Sequence, residues 1–193
     1  NQLPDWINGQ VLRLGFRVDP KAAMMMAEYL GNDLSKISNE ISKLIVSLKP
    51  GDEITAVMVE ENIGISKEFN IFELQSALGK RNIFKANQIV NYFASNTKGN
   101  PTVVTTSQLY NYFLKVLQFH QVDHRSGETP AAVLGVHPYF IKDYETAARA
   151  YPMEKCIRNI SFIREFDNKT KGINNATSND GQLLKELVYK ILH

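Results

Sequence analysis

Residues 30–48 read LGNDLSKISNEISKLIVSL, and this stretch decides the fold class of the chain. Its apolar residues recur at steps of three and four, which places them on one stripe of an α-helix. They are Leu34, Ile37, Ile41, Leu44 and Leu48. Asn32 is the predicted N-cap, because its side chain can accept from a free N–H of the first turn. Pro50-Gly51 ends the helix, so the stretch predicts an amphipathic helix that packs in a bundle.

The same helical spacing covers the rest of the chain. Further helices are predicted over residues 3–14, 19–30, 55–62, 70–78, 83–93, 103–120, 137–150, 157–166 and 180–192, with Asp180 as the N-cap of the last. The β-branched run Val103–Thr106 is interpreted as a helix entry, since it is short and precedes a helical pattern. The polar stretch 167–180 is interpreted as a loop. The sequence therefore predicts an all-α fold.

Charge is divided unevenly along the chain. Residues 1–66 carry six basic and nine acidic residues, whereas residues 69–193 carry fifteen and ten. The segment GISKEFN at 64–70 lies where the sign changes and precedes a predicted capping box at Asn70 and Glu73. We therefore expect two domains, a small helical bundle over 1–66 and a second helical bundle over 67–193.

Composition excludes several classes of protein. The chain has 193 residues, 44% of them hydrophobic, which is enough for one or two buried cores. Its net charge of +2 does not indicate a nucleic-acid binder by itself. A single cysteine, Cys156, precludes an intrachain disulfide and favours a reducing cytoplasm. No apolar run approaches the length of about 18 residues that a membrane helix needs, and residues 1–5 do not resemble a signal peptide. The absence of an initiator Met suggests a fragment of a longer protein.

No catalytic or cofactor motif is found. Gly79-Lys80 lacks the preceding Gly and the following Ser or Thr of a phosphate-binding loop, and neither GxGxxG nor GxSxG occurs. We therefore expect no catalytic residue, no bound cofactor and no metal.

Three weaker candidates have two interpretations each. His120 and His124 have a metal-ligand spacing, but no third ligand is evident, so ordinary helix-surface histidines are favoured. Cys156 has no His nearby and is interpreted as a structural thiol rather than a nucleophile. Lys169 and Lys171 could contact phosphate, or they could be solvated lysines on a loop.

The stretch LGNDLSKISNEISKL at 30–44 resembles the lid domain of the delta subunit of bacterial DNA polymerase III, which belongs to the clamp loader that opens the sliding clamp. Four further segments resemble the same family in the same order. The residues of these segments are most similar to those of Bacteroidetes members. They are 54–63, 69–78, LGVHPYF at 134–140, and Asp167 with Lys171-Gly172 before the last helix. The resemblance covers nearly the whole chain.

The resemblance implies an AAA+ lid-like domain at 1–66 and a collar-like oligomerisation domain at 67–193. The clamp-binding element of the family lies in an N-terminal domain that this chain does not contain. In ATP-binding relatives, a Gly-x-x-Arg pattern supplies a phosphate-sensing arginine, and Leu34 stands at that position here. The implied role is therefore a non-catalytic, cytoplasmic subunit of the polymerase holoenzyme that binds no nucleotide.

The implied partners are the other clamp-loader subunits, which the collar would contact, and the sliding clamp and primed DNA only within the full complex. The candidate interface residues are Tyr110, Phe113 and Phe119 of the 103–120 helix, with Leu184 and Val188 of the last helix. The same residues could instead form the core of the collar. The alternative function is a helical nucleic-acid-binding domain that uses the basic C-terminal half.

Overall fold

The computed structural model describes residues 3–31, 33–63, 68–122, 128–173 and 179–193, and it confirms the all-α fold. Within these ranges the only strands are one pair of two residues each. The chain divides into two compact units, unit 1 at residues 1–67 and unit 2 at residues 68–193. None of the helices in the described ranges is long and apolar enough to span a bilayer.

Unit 1 is a small helical bundle with one short parallel strand pair. Its elements are α1 (Leu3–Arg13), β1 (Arg17–Val18), α2 (Pro20–Leu30), α3 (Leu34–Ile45), β2 (Glu53–Ile54) and α4 (Ala56–Ile63). Val18 pairs with Ile54 in the strand pair, and both side chains are buried. Strands of two residues show no periodicity in a sequence, which is why the sequence did not predict them.

The helix α3 has part of the predicted stripe, because Leu34 is 45% exposed and the helix ends at Ile45, before Leu48. Ile37, Ile41 and Leu44 are buried in the core of unit 1. The predicted N-cap was wrong by one residue, because Asp33 accepts from the backbone N–H of Lys36 at 3.0 Å. A carboxylate at this position also interacts favourably with the positive end of the helix. Asn32 lies outside the described residues.

Unit 2 contains the longer helices. Its elements are α5 (Ile71–Gly79), α6 (Ile83–Ser95), α7 (Thr102–Phe119), α8 (Pro130–Leu134), a 3-10 turn (Pro138–Phe140), α9 (Ile141–Ala150), α10 (Met153–Thr170) and α11 (Asp180–Leu192). The predicted loop at 167–180 begins later than expected, because α10 continues to Thr170 and is supported by an ion pair of 2.5 Å between Lys171 and Asp167. The N-cap of α11 is Asn179 rather than Asp180, since its side chain accepts from the N–H of Gly181.

Six helices of unit 2 form a closed ring. In the order α5, α6, α11, α10, α7 and α9, each helix packs against the next, and α9 returns to α5. The helix α7 also contacts α5 and α11 across the ring. Their apolar sides form one core, in which Phe93, Phe113 and Tyr151 are the largest fully buried side chains.

One end of the ring is held together at Arg81. This residue lies in the turn between α5 and α6 with a φ of 52°, a left-handed conformation that is unusual for a residue with a Cβ. Its guanidinium donates a hydrogen bond to the backbone carbonyl of Leu192 at the end of α11 and lies 5.8 Å from the centroid of the Tyr151 ring. The Tyr151 hydroxyl in turn donates to the carbonyl of Leu78 at 2.9 Å.

Two buried glycines lie at close helix contacts of the ring. A Cβ on Gly79 of α5 would collide with the Tyr112 hydroxyl and approach the Cβ of Ala147 to 3.2 Å. A Cβ on Gly181 of α11 would lie 2.8 Å from the Cβ of Ala94 on α6. Real Cβ atoms do not approach this closely, so glycine is required where these helices meet.

We predict that Gly181→Ala lowers the free energy of unfolding by about 1–2 kcal/mol, because overpacking outweighs the higher helix propensity of alanine. Urea unfolding followed by circular dichroism measures the change. The neighbouring Gln182 is exposed, so Gln182→Ala is the control and changes stability by less than about 0.5 kcal/mol. An equal effect of both substitutions would contradict the close α6–α11 contact.

Candidate protein-interaction surface

The five candidate interface residues occupy different environments in unit 2. Phe113, Leu184 and Val188 are at most 3% exposed and belong to the core of the ring. Phe119 is half-buried and packs against that core. Tyr110 is 42% exposed. Phe113, Leu184 and Val188 are therefore core residues, which was the second interpretation of the sequence. Tyr110 is the candidate whose ring is exposed.

Tyr110 lies on a continuous outer side of α7 that we call the α7 face. Its members are Val103, Ser107, Tyr110, Asn111, Leu114 and Gln118, which follow one another at helical spacing. Val103 is 62% exposed and Leu114 is half-buried, so the face mixes apolar and neutral polar side chains. None of its members is charged.

The one charged residue of α7, Lys115, is bonded to a neighbouring segment of unit 2. The Lys115 ammonium donates to the backbone carbonyls of Leu134 at 2.8 Å and Gly135 at 3.2 Å. It thereby satisfies carbonyls at the end of α8, where a helix leaves acceptors unpaired. Burial lowers the pKa of Lys115 from its ordinary value.

The start of α10 adds two apolar side chains beside α7. The Nε2 atom of His120, at the end of α7, lies 2.9 Å from the carbonyl oxygen of Tyr151, just before α10. The two packed helices therefore run antiparallel, and the first turns of α10 lie level with the last turns of α7. Met153 and Ile157 are 41% and 52% exposed on these first turns.

The outer sides of α9, α10 and α11 are of a different kind, since they carry ion pairs one helical turn apart. These pairs are Glu145 with Arg149, Glu165 with Lys169, Asp167 with Lys171, and Glu186 with Lys190. Such pairs are typical of helix faces that stay in water. A charge-poor face with an aromatic residue is typical of the centre of a protein interface. The α7 face is therefore the candidate interaction surface.

A signal for this surface was present in the sequence. No Asp or Glu occurs from Leu74 to Val122, a stretch that contains all of α6 and α7. The search for apolar periodicity missed it, because that search identifies the buried side of a helix and not the composition of its outer side.

The two lysines that were candidates for phosphate contact face carboxylates instead. The ammonium of Lys169 lies 2.8 Å from Glu165 and 3.6 Å from Glu186, and its hydrogen bond with Glu165 is the main cause of its raised pKa. Lys171 pairs with Asp167 at 2.5 Å. Both charges are locally balanced, so an incoming phosphate would have to compete with a carboxylate at each lysine.

The remaining candidates are placed as follows. His120 is engaged with the Tyr151 carbonyl, and His124 lies outside the described residues. Leu34 is 45% exposed at the start of α3 and brings no charge to that position. In the parts of the chain that the structure describes, no three His, Cys, Asp or Glu side chains are grouped as a metal site would require.

Cys156 is a buried thiol on α10. It is fully buried, and its Sγ donates to the carbonyl of Tyr151 at 3.2 Å. Burial raises the pKa of the Cys156 thiol from 9.0 to about 11. Because the thiolate is the nucleophilic form, this environment suppresses reactivity.

We predict that Cys156 reacts slowly with a disulfide reagent such as dithionitrobenzoate in the folded chain. The raised pKa alone lowers the thiolate fraction about a hundredfold at mildly alkaline pH, and burial slows the reaction further. Release of thionitrobenzoate measures the rate. The same chain in guanidinium is the control, in which one thiol per chain reacts promptly. A fast reaction without denaturant would show that this part of the core is open.

No protein-family model and no curated protein matches this chain. Among solved structures, the chain is similar to the Bacillus subtilis DNA clamp loader delta protein (YqeN), with a TM-score of 0.61 and 22% sequence identity. The match covers 99% of this chain and 56% of that protein, so the chain spans little more than half the length of the structure it matches. At this identity, the similarity establishes a shared fold across both units.

Proposed function

We propose that this chain is the lid and collar part of a delta-like clamp-loader subunit. In this role it helps to assemble the loader that opens the sliding clamp and places it on primed DNA during replication. The observation that carries the proposal is the shared fold with a clamp loader delta protein over 99% of the chain. Five sequence segments that resemble the delta family in the same order support it independently. We infer from their residues that the chain is most similar to Bacteroidetes members of that family.

The proposed domains are an AAA+ lid-like domain at 1–66 and a collar-like domain at 67–193. The compact units of the structure divide one residue away from this boundary, which supports the assignment. We infer that the chain acts in the cytoplasm without catalysis of its own. Leu34 offers no cation to a nucleotide phosphate, so ATP binding and hydrolysis fall to other subunits.

The proposed contact with a neighbouring loader subunit is made by the α7 face. Tyr110 is its large aromatic side chain, and a tyrosine of this kind contributes strongly when a partner covers it. Phe113, Leu184 and Val188 support the face from the core and would not touch the partner. The alternative of nucleic-acid binding has less support, because Lys169 and Lys171 are paired with carboxylates.

We predict that Tyr110→Ala weakens binding to one clamp-loader subunit about tenfold while the fold is retained. The measurement is analytical size exclusion or interferometry with the purified loader subunits of the same organism at about 150 mM salt. Tyr189→Ala is the matched control, since Tyr189 is 62% exposed on the ion-paired outer side of α11.

A different pattern would contradict the proposal. One such pattern is no measurable binding to any loader subunit together with binding to duplex DNA whose affinity falls steeply as the salt concentration rises. In that case nucleic-acid binding is the correct function. Equal losses for Tyr110→Ala and Tyr189→Ala would leave the proposed function intact and remove the α7 face from it.

A further inference from the structure

The turn between α5 and α6 places an arginine where helices ordinarily place a glycine. The N–H of Arg81 donates to the carbonyl of Leu78 at 2.9 Å, and the N–H of Asn82 donates to the carbonyl of Ala77 at 2.8 Å. These two bonds form a Schellman motif, in which the residue after the C-cap is left-handed and is usually glycine. Here that residue is Arg81. Among the residues that the structure describes, it is the only one other than glycine with a positive φ.

The side chain of Arg81 reaches a helix that is distant in sequence. Its half-buried guanidinium donates to the backbone carbonyl of Leu192, the last residue of α11, and lies beside the Tyr151 ring. The last four carbonyls of a helix have no partner within that helix, so this bond satisfies one of them. A positive charge also interacts favourably with the negative end of a helix. A glycine at position 81 could make neither interaction.

The last turn of α11 is buried, although helix ends ordinarily fray. Ile191 and Leu192 are 3% and 1% exposed, and both belong to the core of unit 2. Opening of this turn would therefore transfer two large apolar side chains to water, which is unfavourable. The start of α11 is held by the close approach of Gly181 to Ala94, so Arg81 acts at the opposite end of the helix.

We propose that Arg81 is a latch that holds the last turn of α11 against the core of unit 2. When the latch is closed, the guanidinium is bonded to the Leu192 carbonyl. When it is open, the last turn frays and Ile191 and Leu192 reach water. The latch controls this local opening rather than the folding of unit 2, because the strain of the left-handed backbone and the bond of the side chain have opposite effects on the stability of the folded state. The inference does not rest on the proposed function.

The test separates the backbone strain from the side-chain bond with two substitutions at one position. Arg81→Gly removes both, whereas Arg81→Ala keeps a Cβ in the left-handed conformation and removes the guanidinium. Amide hydrogen exchange of the full chain, followed by nuclear magnetic resonance, measures local opening, and urea unfolding measures global stability. Lys80→Ala is the matched control, because Lys80 is an exposed neighbouring cation with a right-handed backbone.

Arg81→Gly is expected to speed the exchange of the Ile191 and Leu192 amides about tenfold, because a hydrogen bond from a charged donor is lost. Exchange of the Leu184 amide, near the start of α11, is expected to stay unchanged. The urea midpoint of Arg81→Gly stays close to that of the wild-type chain, since relief of strain offsets the lost bond, whereas Arg81→Ala lowers it. Arg81→Gly decides the question by itself if Arg81→Ala does not fold, because glycine is the residue that this turn favours.

Three results would overturn the inference. A raised urea midpoint for Arg81→Gly with unchanged exchange at Ile191 and Leu192 would show that the side chain holds nothing in place. Faster exchange by the same factor throughout α11 would show an effect on global stability instead of a local latch. An equal effect of Lys80→Ala would assign the change to the loss of a positive charge and not to the bond between the guanidinium and the carbonyl.

Discussion

The structure of unit 2 depends on one buried apolar core shared by its helices, and the hydrogen bond between the Arg81 guanidinium and the Leu192 carbonyl links distant parts of the chain at one end of it. It joins residues 111 positions apart in the chain and lies beside the Tyr151 ring, where the end of α7 and the start of α10 also meet. The left-handed backbone of Arg81 costs about 1–2 kcal/mol, and a hydrogen bond from a charged donor returns a similar amount. The contact links the turn before α6 to the end of α11, two helices that also pack against each other along their length.

Closure of the ring divides the exterior of unit 2 into two kinds of surface. The helices α9, α10 and α11 present ion pairs to water, whereas α6 and α7 present aromatic, aliphatic and amide side chains. The lysines of α6 and α7 both interact within unit 2. The Lys85 ammonium lies over the Phe69 ring, and the Lys115 ammonium donates to a carbonyl at the end of α8. An uncharged outer face with an aromatic side chain is typical of a surface that another protein covers.

Much of the fold could be predicted from the sequence, because a stripe such as that of α3 and a cap such as Asn70 are local signals. The β1–β2 pair could not be predicted, since its two-residue strands are stabilised by contacts distant in sequence. The candidate surface was predicted less well. Phe113 and Tyr110 are both aromatic residues of α7, and only the packing of the other helices decides that one is core and the other exposed. The α7 face was missed, although the acid-free stretch that contains it is visible in the sequence.

The central proposal is that unit 2 places the uncharged α7 face against a neighbouring subunit. Hydroxyl-radical footprinting of the chain, alone and within the assembled loader, tests it at the level of single side chains. The account predicts that oxidation of Tyr110 slows on assembly, while that of Tyr189 on the ion-paired side is unchanged. Unaltered oxidation of Tyr110 in the assembled complex, or protection confined to Tyr189, would contradict it.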